Sequence, residues 1–301
     1  MYKKTTMVLA VLLCLLGACS GGDDDNQSVG KQQGEDVSVL KVATTPTLDC
    51  LPIFLAQERG LFDTNKVNVR LLTMQAQMDC QEALLKEQAQ VATSDVMRVE
   101  KMRKEGKAIH YVLSTNIKWQ LISNRLARIT DCKQLADKMM AMTRFSGTDF
   151  FCRHLIDSVK PKNKVFSIQI NDVDIRLKML INNEMDAVWL PEPQATEARL
   201  AKHPVIFDGQ KQDWLFGCLA TLTKTANDGN RKAQIEAFAK AYDMACDSIN
   251  KNGLAKYADI IGKYCHASEK AIRALPKILF PHAAQPKEKD IIKAQNMNWN
   301  D

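Results

Sequence analysis

The chain has 301 residues, of which 46% are hydrophobic and 25% are charged. This composition is typical of a globular protein with enough length for one large domain or two lobes, and it excludes collagen, coiled coil and wholesale disorder. Lys and Arg number 41 against 35 Asp and Glu, so the net charge is +6. Because the basic residues are scattered along the chain, we expect no nucleic-acid partner.

The first residues have the pattern of an export signal. Lys3 and Lys4 precede an apolar run at residues 7–16 (MVLAVLLCLL), which is too short to span a bilayer, since a span needs roughly 20 residues. The segment Leu-Gly-Ala before Cys19 resembles the lipobox of bacterial lipoproteins. The resemblance implies that residues 1–18 are a cleaved signal peptide and that an acylated Cys19 anchors the protein in a membrane.

Residues 19–36 lack apolar periodicity and are rich in Gly, Asp and Gln. This composition predicts a flexible acidic tether between the membrane and the folded body. The acidic run at residues 23–25 also resembles a surface-export signal of some Gram-negative lipoproteins. We therefore expect a lipid-anchored protein of the cell envelope that faces the periplasm, with an outer-membrane or surface location left open.

Strand-like and helix-like segments alternate with short links from residue 39 onward. The first run predicts strands at 39–44, 67–72 and 91–93 and helices at 52–59 and 81–87. After a break near 117–131, the second run predicts strands at 138–142, 165–170 and 187–190 and helices at 147–156 and 175–181. A mostly helical tail follows at 233–274. The repeated order predicts an α/β protein of two lobes, each a mainly parallel sheet flanked by helices.

Two segments of the sequence resemble those of a known family. One is LPIFLAQERGLF at 51–62, followed by VNV at 67–69, and the other is LINNEMDAVWLPEP at 180–193. Their order and spacing resemble the solute-binding proteins of ABC importers for nitrate, sulfonate, taurine and thiamine precursors. Glu87, Gln90 and Asn183 depart from the Gly, Asp and Gly of the family's pattern. The resemblance covers nearly the whole body, including a late Trp299.

The resemblance implies the periplasmic-binding-protein type II fold, with two crossing strands as a hinge near 119–124 and 216–222. Lobe 1 would comprise residues 37–118 and 222–301, and lobe 2 residues 119–221. The implied partners are a small-molecule solute and an inner-membrane ABC permease with its ATPase. We expect a monomer that needs no cofactor and catalyses no reaction.

Ligands of such sheets lie at the carboxyl ends of the strands. The expected ligand-binding residues are therefore Thr44, Thr45, Thr47, Cys50, Ser94, Asp95, Arg144, Ser146, Gly147, Thr148, Trp189 and Glu192. Arg144 beside a helix start would hold an anion, and Trp189 would stack on a ring. The alternatives are helix caps for the Thr, Ser and Asp residues, a surface position for Arg144 and a core position for Trp189. The predicted solute is small and polar, either anionic or heteroaromatic.

Seven cysteines remain in the body, and seven cannot all pair within one chain. The implied fold puts Cys50 and Cys80 in neighbouring cleft loops, which makes them a disulfide candidate. Together with Met74 and Met78 they are also the basis of an alternative function, binding of a copper-type ion. No C-x-x-C or His-x-x-x-His spacing supports that alternative, and we assign no metal site. A divergent enzyme of pyrimidine-precursor synthesis on the same fold is a further alternative.

Overall fold

The computed structural model describes residues 36–299. The predicted signal peptide, the predicted acylation site Cys19 and all of the predicted tether except Asp36 therefore lie outside the described residues. Within residues 36–299, no helix is long and apolar enough to cross a membrane.

The first part of the described chain alternates strands and helices. Its elements are β1 (Val39–Thr44), α1 (Leu51–Glu58), α2 (Leu61–Thr64), β2 (Asn68–Thr73), α3 (Gln77–Leu85), β3 (Val91–Asp95), α4 (Val96–Lys104) and β4 (Ile109–Ser114). β1 and β3 are buried along nearly their whole length, as expected of strands covered on both faces by helices. A short 3-10 turn, Leu48–Cys50, leads into α1.

The second part repeats this alternation. Its elements are β5 (Gln120–Ser123), β6 (Met139–Met142), α5 (Gly147–Val159), β7 (Phe166–Gln169), α6 (Val173–Ile181), β8 (Ala187–Leu190), α7 (Gln194–Leu200) and β9 (Val205–Asp208). The last part contains β10 (Gly217–Leu222), α8 (Thr223–Asn227), α9 (Gly229–Asn252), α10 (Ala258–Cys265), α11 (Glu269–Ala274) and α12 (Glu288–Gln295).

The strands form two sheets, one per lobe, with the orders β2-β1-β3-β10-β4 and β7-β6-β8-β5-β9. In each sheet four strands run in the same direction, and the fifth, β10 or β5, is antiparallel to both of its neighbours. The predicted two-lobed α/β fold is confirmed, and each sheet is mixed, with four of its five strands parallel to one another. The antiparallel strands are β10 and β5, each of which follows a passage of the chain between lobes.

The segments that pass between the two sheets adjoin the positions near which the crossings are predicted. The predicted crossing at 119–124 is largely β5, which pairs with β8 and β9 in the second sheet, and that at 216–222 is largely β10, which pairs with β3 and β4 in the first. The chain passes between the sheets at residues 115–119 and 209–216. Apolar runs at 120–123 and 217–222 mark strands, but only their pairing shows to which sheet each strand belongs.

The C-terminal helices pack on the first lobe. α9 contacts α1, and α12 contacts α4. Phe238 of α9 stacks on Phe62 with ring centroids 5.5 Å apart, and Tyr242 is fully buried in the same hydrophobic cluster. Full burial of a phenylalanine side chain such as Phe238 stabilises a fold by roughly 1.5–3 kcal/mol. The tail is therefore part of the first lobe's core.

Candidate functional site

The carboxyl ends of the strands of both sheets meet at one cleft, and the two lobes touch there. The Leu48 backbone N–H donates to the Glu192 carbonyl at 2.9 Å. The Gln194 Nε2 donates to the Pro46 carbonyl at 3.1 Å, and the Gly147 N–H donates to Asp95 Oδ2 at 3.2 Å. The lobes are thus held together by hydrogen bonds between the loops that follow the strands.

The middle of the cleft encloses a cavity of about 20 Å³, which we call the central cavity. It is lined by Thr45, Thr47, Gln75, Ala76, Gln77, Ile117, Trp119, Thr143, Asn171 and Val173. The hydroxyls of Thr45 and Thr47 lie 3.0 Å apart. A volume of this size holds about one water molecule. In this arrangement of the lobes, the lining side chains fill nearly all of the centre of the cleft.

A fully buried guanidinium lies beside the central cavity. Arg176 of α6 donates from Nε to the Ile170 carbonyl at 2.7 Å, from Nη1 to the Trp189 carbonyl at 2.9 Å, and from Nη2 to Thr143 Oγ1. These acceptors lie at or just beyond the carboxyl ends of β7, β8 and β6. Burial lowers the pKa of Arg176 to about 9. Arg176 therefore ties the ligand-facing ends of three strands together.

A larger space, of about 290 Å³, lies beside the first crossing segment, and we call it the crossing pocket. It is lined by Leu48, Asp49, Asn116, Ile117, Lys118, Pro191, Glu192, Lys277, Ile278, Leu279 and Phe280. Both lobes contribute to its wall, and Ile117 also lines the central cavity. Its size is close to the lower end of the range for small-molecule sites, and most of its lining is apolar.

Asp49 is one of two buried acidic residues that line the crossing pocket, and Glu192 is the other. Its Oδ2 accepts a hydrogen bond from Thr115 Oγ1 at 2.8 Å. Its Oδ1 is buried without a hydrogen-bond partner in the described part of the chain. Burial raises the pKa of Asp49 above its usual value, although the neighbouring Thr47 and Thr115 side chains oppose the shift. Asp49 thus places a carboxyl group with one unpaired oxygen at the wall of the pocket.

The predicted lobe 1 residues divide into three groups. Thr45 and Thr47 line the central cavity. Thr44 and Ser94 are buried at strand ends with hydroxyls that have no partner among residues 36–299. Cys50 is packed in the hydrophobic core, with its Sγ 3.5 Å from Thr93 Oγ1. The expectation of a ligand contact at Cys50 is therefore not supported by its position.

The predicted anion site at the start of α5 is filled by the chain itself. Ser146 caps the helix by accepting from the Thr148 N–H at 3.1 Å, and Thr148 Oγ1 accepts from the Thr143 N–H at 2.9 Å. The Gly147 N–H donates to Asp95, whose other oxygen caps α4. Asp95 therefore combines the predicted cap with a contact between lobes, and it takes the position expected for an anionic ligand.

Arg144 lies away from the central cavity and the crossing pocket. Its side chain is exposed, and its backbone carbonyl accepts from Arg98 Nη1 at 3.2 Å. The anion contact predicted for Arg144 stays a prediction, and its position is the rim of the cleft, to which the turn before α5 directs this side chain. Thr143 and Asn171, rather than Arg144, line the cavity from lobe 2.

Trp189 and Glu192 also differ from the prediction. Trp189 is fully buried, donates from Nε1 to Cys152 Sγ at 3.1 Å, and stacks on Phe151 at 5.2 Å. It is a core residue of lobe 2, and Trp119 is the tryptophan that lines the cavity. Glu192 lines the crossing pocket, but its carboxylate pairs with Arg199 at 2.7 Å and accepts from Thr196. Its oxygens are therefore engaged within lobe 2.

The body cysteines of this structure are free thiols, and all seven are buried. The expected Cys50–Cys80 disulfide is not formed, and burial raises the pKa of Cys50 to about 12 and that of Cys80 well above its usual value. Met78 is partly exposed and accepts from Gln169. Residues 36–299 contain no group of three or more His, Cys, Asp or Glu side chains placed to hold a metal ion.

Asp49, Arg176 and Asn171 are site residues that the sequence reasoning missed. Asp49 follows Thr47 in the same loop after β1, so the rule that selected the threonines would also have selected it. Asn171 follows β7 in the same way. Arg176 lies inside helix α6, and no motif in the neighbouring sequence indicates its role. Its contacts with three strand ends become visible only in the folded sheet.

Comparison with known proteins identifies the family. A family model described as "NMT1/THI5 like" matches residues 47–274, which is more than half of the chain. The chain belongs to the NMT1/THI5-like family. No curated protein sequence matches it.

Solved structures share the fold of this NMT1/THI5-like protein at low sequence identity. The alkanesulfonate-binding protein SsuA from Xanthomonas axonopodis pv. citri, bound to MOPS, has a TM-score of 0.70 at 14% identity, over 86% of this chain and 90% of that one. The ligand-binding component of an ABC-type import system from Staphylococcus aureus, with zinc bound, has a TM-score of 0.72 at 12% identity, over 85% and 89%. The periplasmic nitrate-binding protein NrtA from Synechocystis PCC 6803 has a TM-score of 0.68 at 12% identity, over 78% and 69%.

Proposed function

We propose that this NMT1/THI5-like protein is the lipid-anchored solute-binding component of an ABC importer. The observation that carries the proposal is the convergence of strand ends from two sheets on one cleft, with a pocket walled by both lobes. The resemblance to ABC-type and periplasmic binding proteins supports it. The implied partners are a small solute, an inner-membrane permease and its ATPase.

The mechanism is hinge closure. The lobes are linked by the crossing segments 115–119 and 209–216, which touch where the Gly209 N–H donates to the Trp119 carbonyl at 2.9 Å. A solute in the crossing pocket contacts Asp49 from lobe 1 and Pro191 from lobe 2. Because these contacts exist together only when the lobes are closed, the solute shifts the population towards the closed form. No chemical step on the solute is required.

The pocket favours a heteroaromatic solute with N–H donors over an anion. Leu48, Ile117 and Phe280 supply apolar walls suited to a flat ring. The buried Asp49 Oδ1 needs a donor, because an unpaired buried carboxylate oxygen is costly. The guanidinium predicted to hold an anion, Arg144, lies at the rim, and the cations that line the crossing pocket are Lys118 and Lys277. A heteroaromatic solute would use the apolar walls and Asp49, whereas an anion would use only these two lysines, so of the two solute classes considered we propose the heteroaromatic one.

The anchor and the location belong to the same proposal. Acylation of Cys19 and removal of residues 1–18 would leave the body on a tether of residues 19–36, as a monomer facing the periplasm. An outer-membrane or surface location is compatible with the acidic run at 23–25. Metabolic labelling with a palmitate analogue, compared with Cys19→Ala, tests the anchor.

The solute class is tested by calorimetric titration of the full chain with aminopyrimidines, alkanesulfonates, small carboxylates and cuprous ion. We expect saturable binding of an N–H-bearing heteroaromatic and at least a tenfold weaker affinity in Asp49→Asn, which changes the pairing at Oδ1. Asp63→Asn, at an exposed position on α2, is the matched control. Tight binding of cuprous ion alone, or equal affinity in Asp49→Asn, would overturn the assignment.

A separate experiment tests the proposal that the protein catalyses no reaction on the solute. The protein is saturated with solute and denatured, and the mass of the released solute is measured by mass spectrometry. A transport role requires that the solute be recovered unchanged. A time-dependent mass change would instead support the alternative of a divergent biosynthetic enzyme on this fold.

A further inference from the structure

A third space opens at the rim of the cleft, and we call it the rim pocket. It has a volume of about 270 Å³ and is lined by Met78, Gln81, Arg98, Lys101, Met102, Glu105, Arg144, Phe145 and Gln169. α3 and α4 of lobe 1 form one side, and the turn before α5 together with β7 of lobe 2 forms the other. None of these residues lines the central cavity or the crossing pocket.

The charged side chains of the rim pocket are mostly basic. Arg98, Lys101 and Arg144 contribute three positive charges, and Glu105 contributes the single negative charge among the lining residues. Glu105 pairs with Lys101 one helical turn away. Lys101 Nζ also lies 4.3 Å from the centroid of the Phe145 ring, a contact that joins the two lobes. The pocket therefore carries an excess of positive charge at the place where the lobes meet.

Arg98 is a buried cation with unused donor capacity. It is 5% exposed, donates from Nη2 to Gln81 Oε1 at 2.6 Å and from Nη1 across the cleft to the Arg144 carbonyl at 3.2 Å. Its Nε has no hydrogen-bond partner within the described range 36–299. Asp95 attracts Arg98 electrostatically, but the carboxylate oxygens accept from the backbone N–H groups of Arg98 and Gly147.

We propose that the rim pocket binds a small phosphate group, free or as a phosphate ester, in addition to the solute of the crossing pocket. Two guanidinium groups and an ammonium group match a doubly charged tetrahedral oxyanion better than a single carboxylate, because each guanidinium offers parallel N–H donors. The volume admits a phosphate with a small organic substituent. Arg98 itself lines the pocket, and its Nε has no hydrogen-bond partner among the described residues.

Binding at the rim couples to closure. The phosphate contacts Arg98 and Lys101 from lobe 1 and Arg144 from lobe 2, so it bridges the lobes. A ligand that bridges them stabilises the closed form and raises the affinity for a solute that needs closure, and by linkage the solute raises the affinity for phosphate equally. The phosphate thus acts as a co-ligand of the closed state.

The test is calorimetric titration of the full chain with sodium phosphate, glycerol phosphate and sodium acetate at constant ionic strength. We expect saturable binding of both phosphates, no binding of acetate, and at least a tenfold weaker phosphate affinity in Arg144→Gln and in Lys101→Gln. Arg70→Gln, at an exposed position on β2, removes the same charge elsewhere and leaves the affinity unchanged. A further titration with phosphatidylglycerol vesicles tests whether the pocket binds the phosphate of a lipid headgroup instead of a soluble phosphate.

Three outcomes overturn the proposal. They are no saturable phosphate binding by the wild-type chain, unchanged affinity in Arg144→Gln, and binding of vesicles with no binding of soluble phosphates. Asp49→Asn distinguishes a failure of this inference from a failure of the proposed function, because Asp49 lines the crossing pocket and not the rim pocket. In the absence of solute, we expect this variant to bind phosphate as the wild type does, even when it no longer binds the solute.

Discussion

Asp95 has two functions that a sequence pattern describes only in part. One oxygen accepts from the Arg98 N–H at 3.0 Å and caps α4, as Asp residues commonly do at helix starts. The other accepts from Gly147, 52 residues away in the chain and in the other lobe. The cap is a local property of the sequence, whereas the contact between lobes exists only in the assembled cleft.

The titration of Asp95 predicts a pH dependence of stability. Burial raises the pKa of Asp95 to about 6, from an ordinary value of 3.8. Between about pH 4 and pH 6 the folded protein keeps a proton that the unfolded chain releases, so stability falls as pH rises through this window. Relative to Asp95→Asn, which does not titrate, the wild type should lose on the order of 2 kcal/mol of unfolding free energy between pH 4 and pH 7.

Urea unfolding of both proteins at pH 4, 5, 6 and 7 measures this difference. Asp49, whose pKa is also raised, is present in both proteins and cancels in the comparison. A wild-type-minus-variant difference that stays constant or grows with pH would contradict the assignment of a raised pKa to Asp95.

At the scale of elements, Arg176 joins β6, β7 and β8 at the edge that faces the cleft. The three acceptors are Thr143 Oγ1, the Ile170 carbonyl and the Trp189 carbonyl. Parallel strands alone leave their carboxyl ends open towards the ligand side. The Arg176 guanidinium holds its N–H donors in one rigid plane. It therefore donates to one acceptor at each of the three strand ends at the same time. The geometry of lobe 2's ligand face therefore depends on a residue of the helix α6.

Substitution of Arg176 should be strongly destabilising. Arg176→Met removes the donors to two buried carbonyls and one hydroxyl, so we expect a loss of about 3 kcal/mol in unfolding free energy. Arg176→Lys keeps the positive charge but lacks the planar set of donors, so it should recover only part of the unfolding free energy that Arg176→Met loses. Urea unfolding monitored by circular dichroism measures both variants.

Arg125→Met, at an exposed position of the same lobe, is the control and should leave stability within about 0.5 kcal/mol of the wild type. A similarly small effect of Arg176→Met would show that the strand ends do not depend on the guanidinium.

At the scale of the whole molecule, the crossing segments decide how the lobes meet. They touch at Gly209, where a Cβ atom would lie 2.4 Å from the Trp119 carbonyl oxygen. Real Cβ atoms do not approach backbone so closely, so any side chain at 209 must push the segments apart. Glycine at this position permits the close contact of the two crossing segments, which continues the pairing of β5 with β9.

Gly209→Ala tests this contact. We expect a loss of about 1–3 kcal/mol in unfolding free energy from overpacking, because the two crossing segments must move apart at this point; urea unfolding measures it. Gly229→Ala at the start of α9, where a Cβ meets nothing within 4 Å, is the matched control and should cause no loss of stability. Unaltered stability in Gly209→Ala would argue against a close crossing.

By itself the sequence determined the elements, their alternation and the two-lobed α/β class. Strands 39–44 and 187–190 and the helix start at Ser146 all follow from apolar patterning and capping, which act over a few residues. The resemblance carried by 51–62 and 180–193 also led to the family that the match over 47–274 shows.

Only the tertiary structure decided which side chains face the cleft. Trp119 rather than Trp189 lines the cavity, Arg144 points to the rim, and Asp95 fills the start of α5. These outcomes depend on strand pairing and on contacts between residues dozens of positions apart. Periodicity and capping specify what an element is, but register and long-range packing specify what each of its side chains meets.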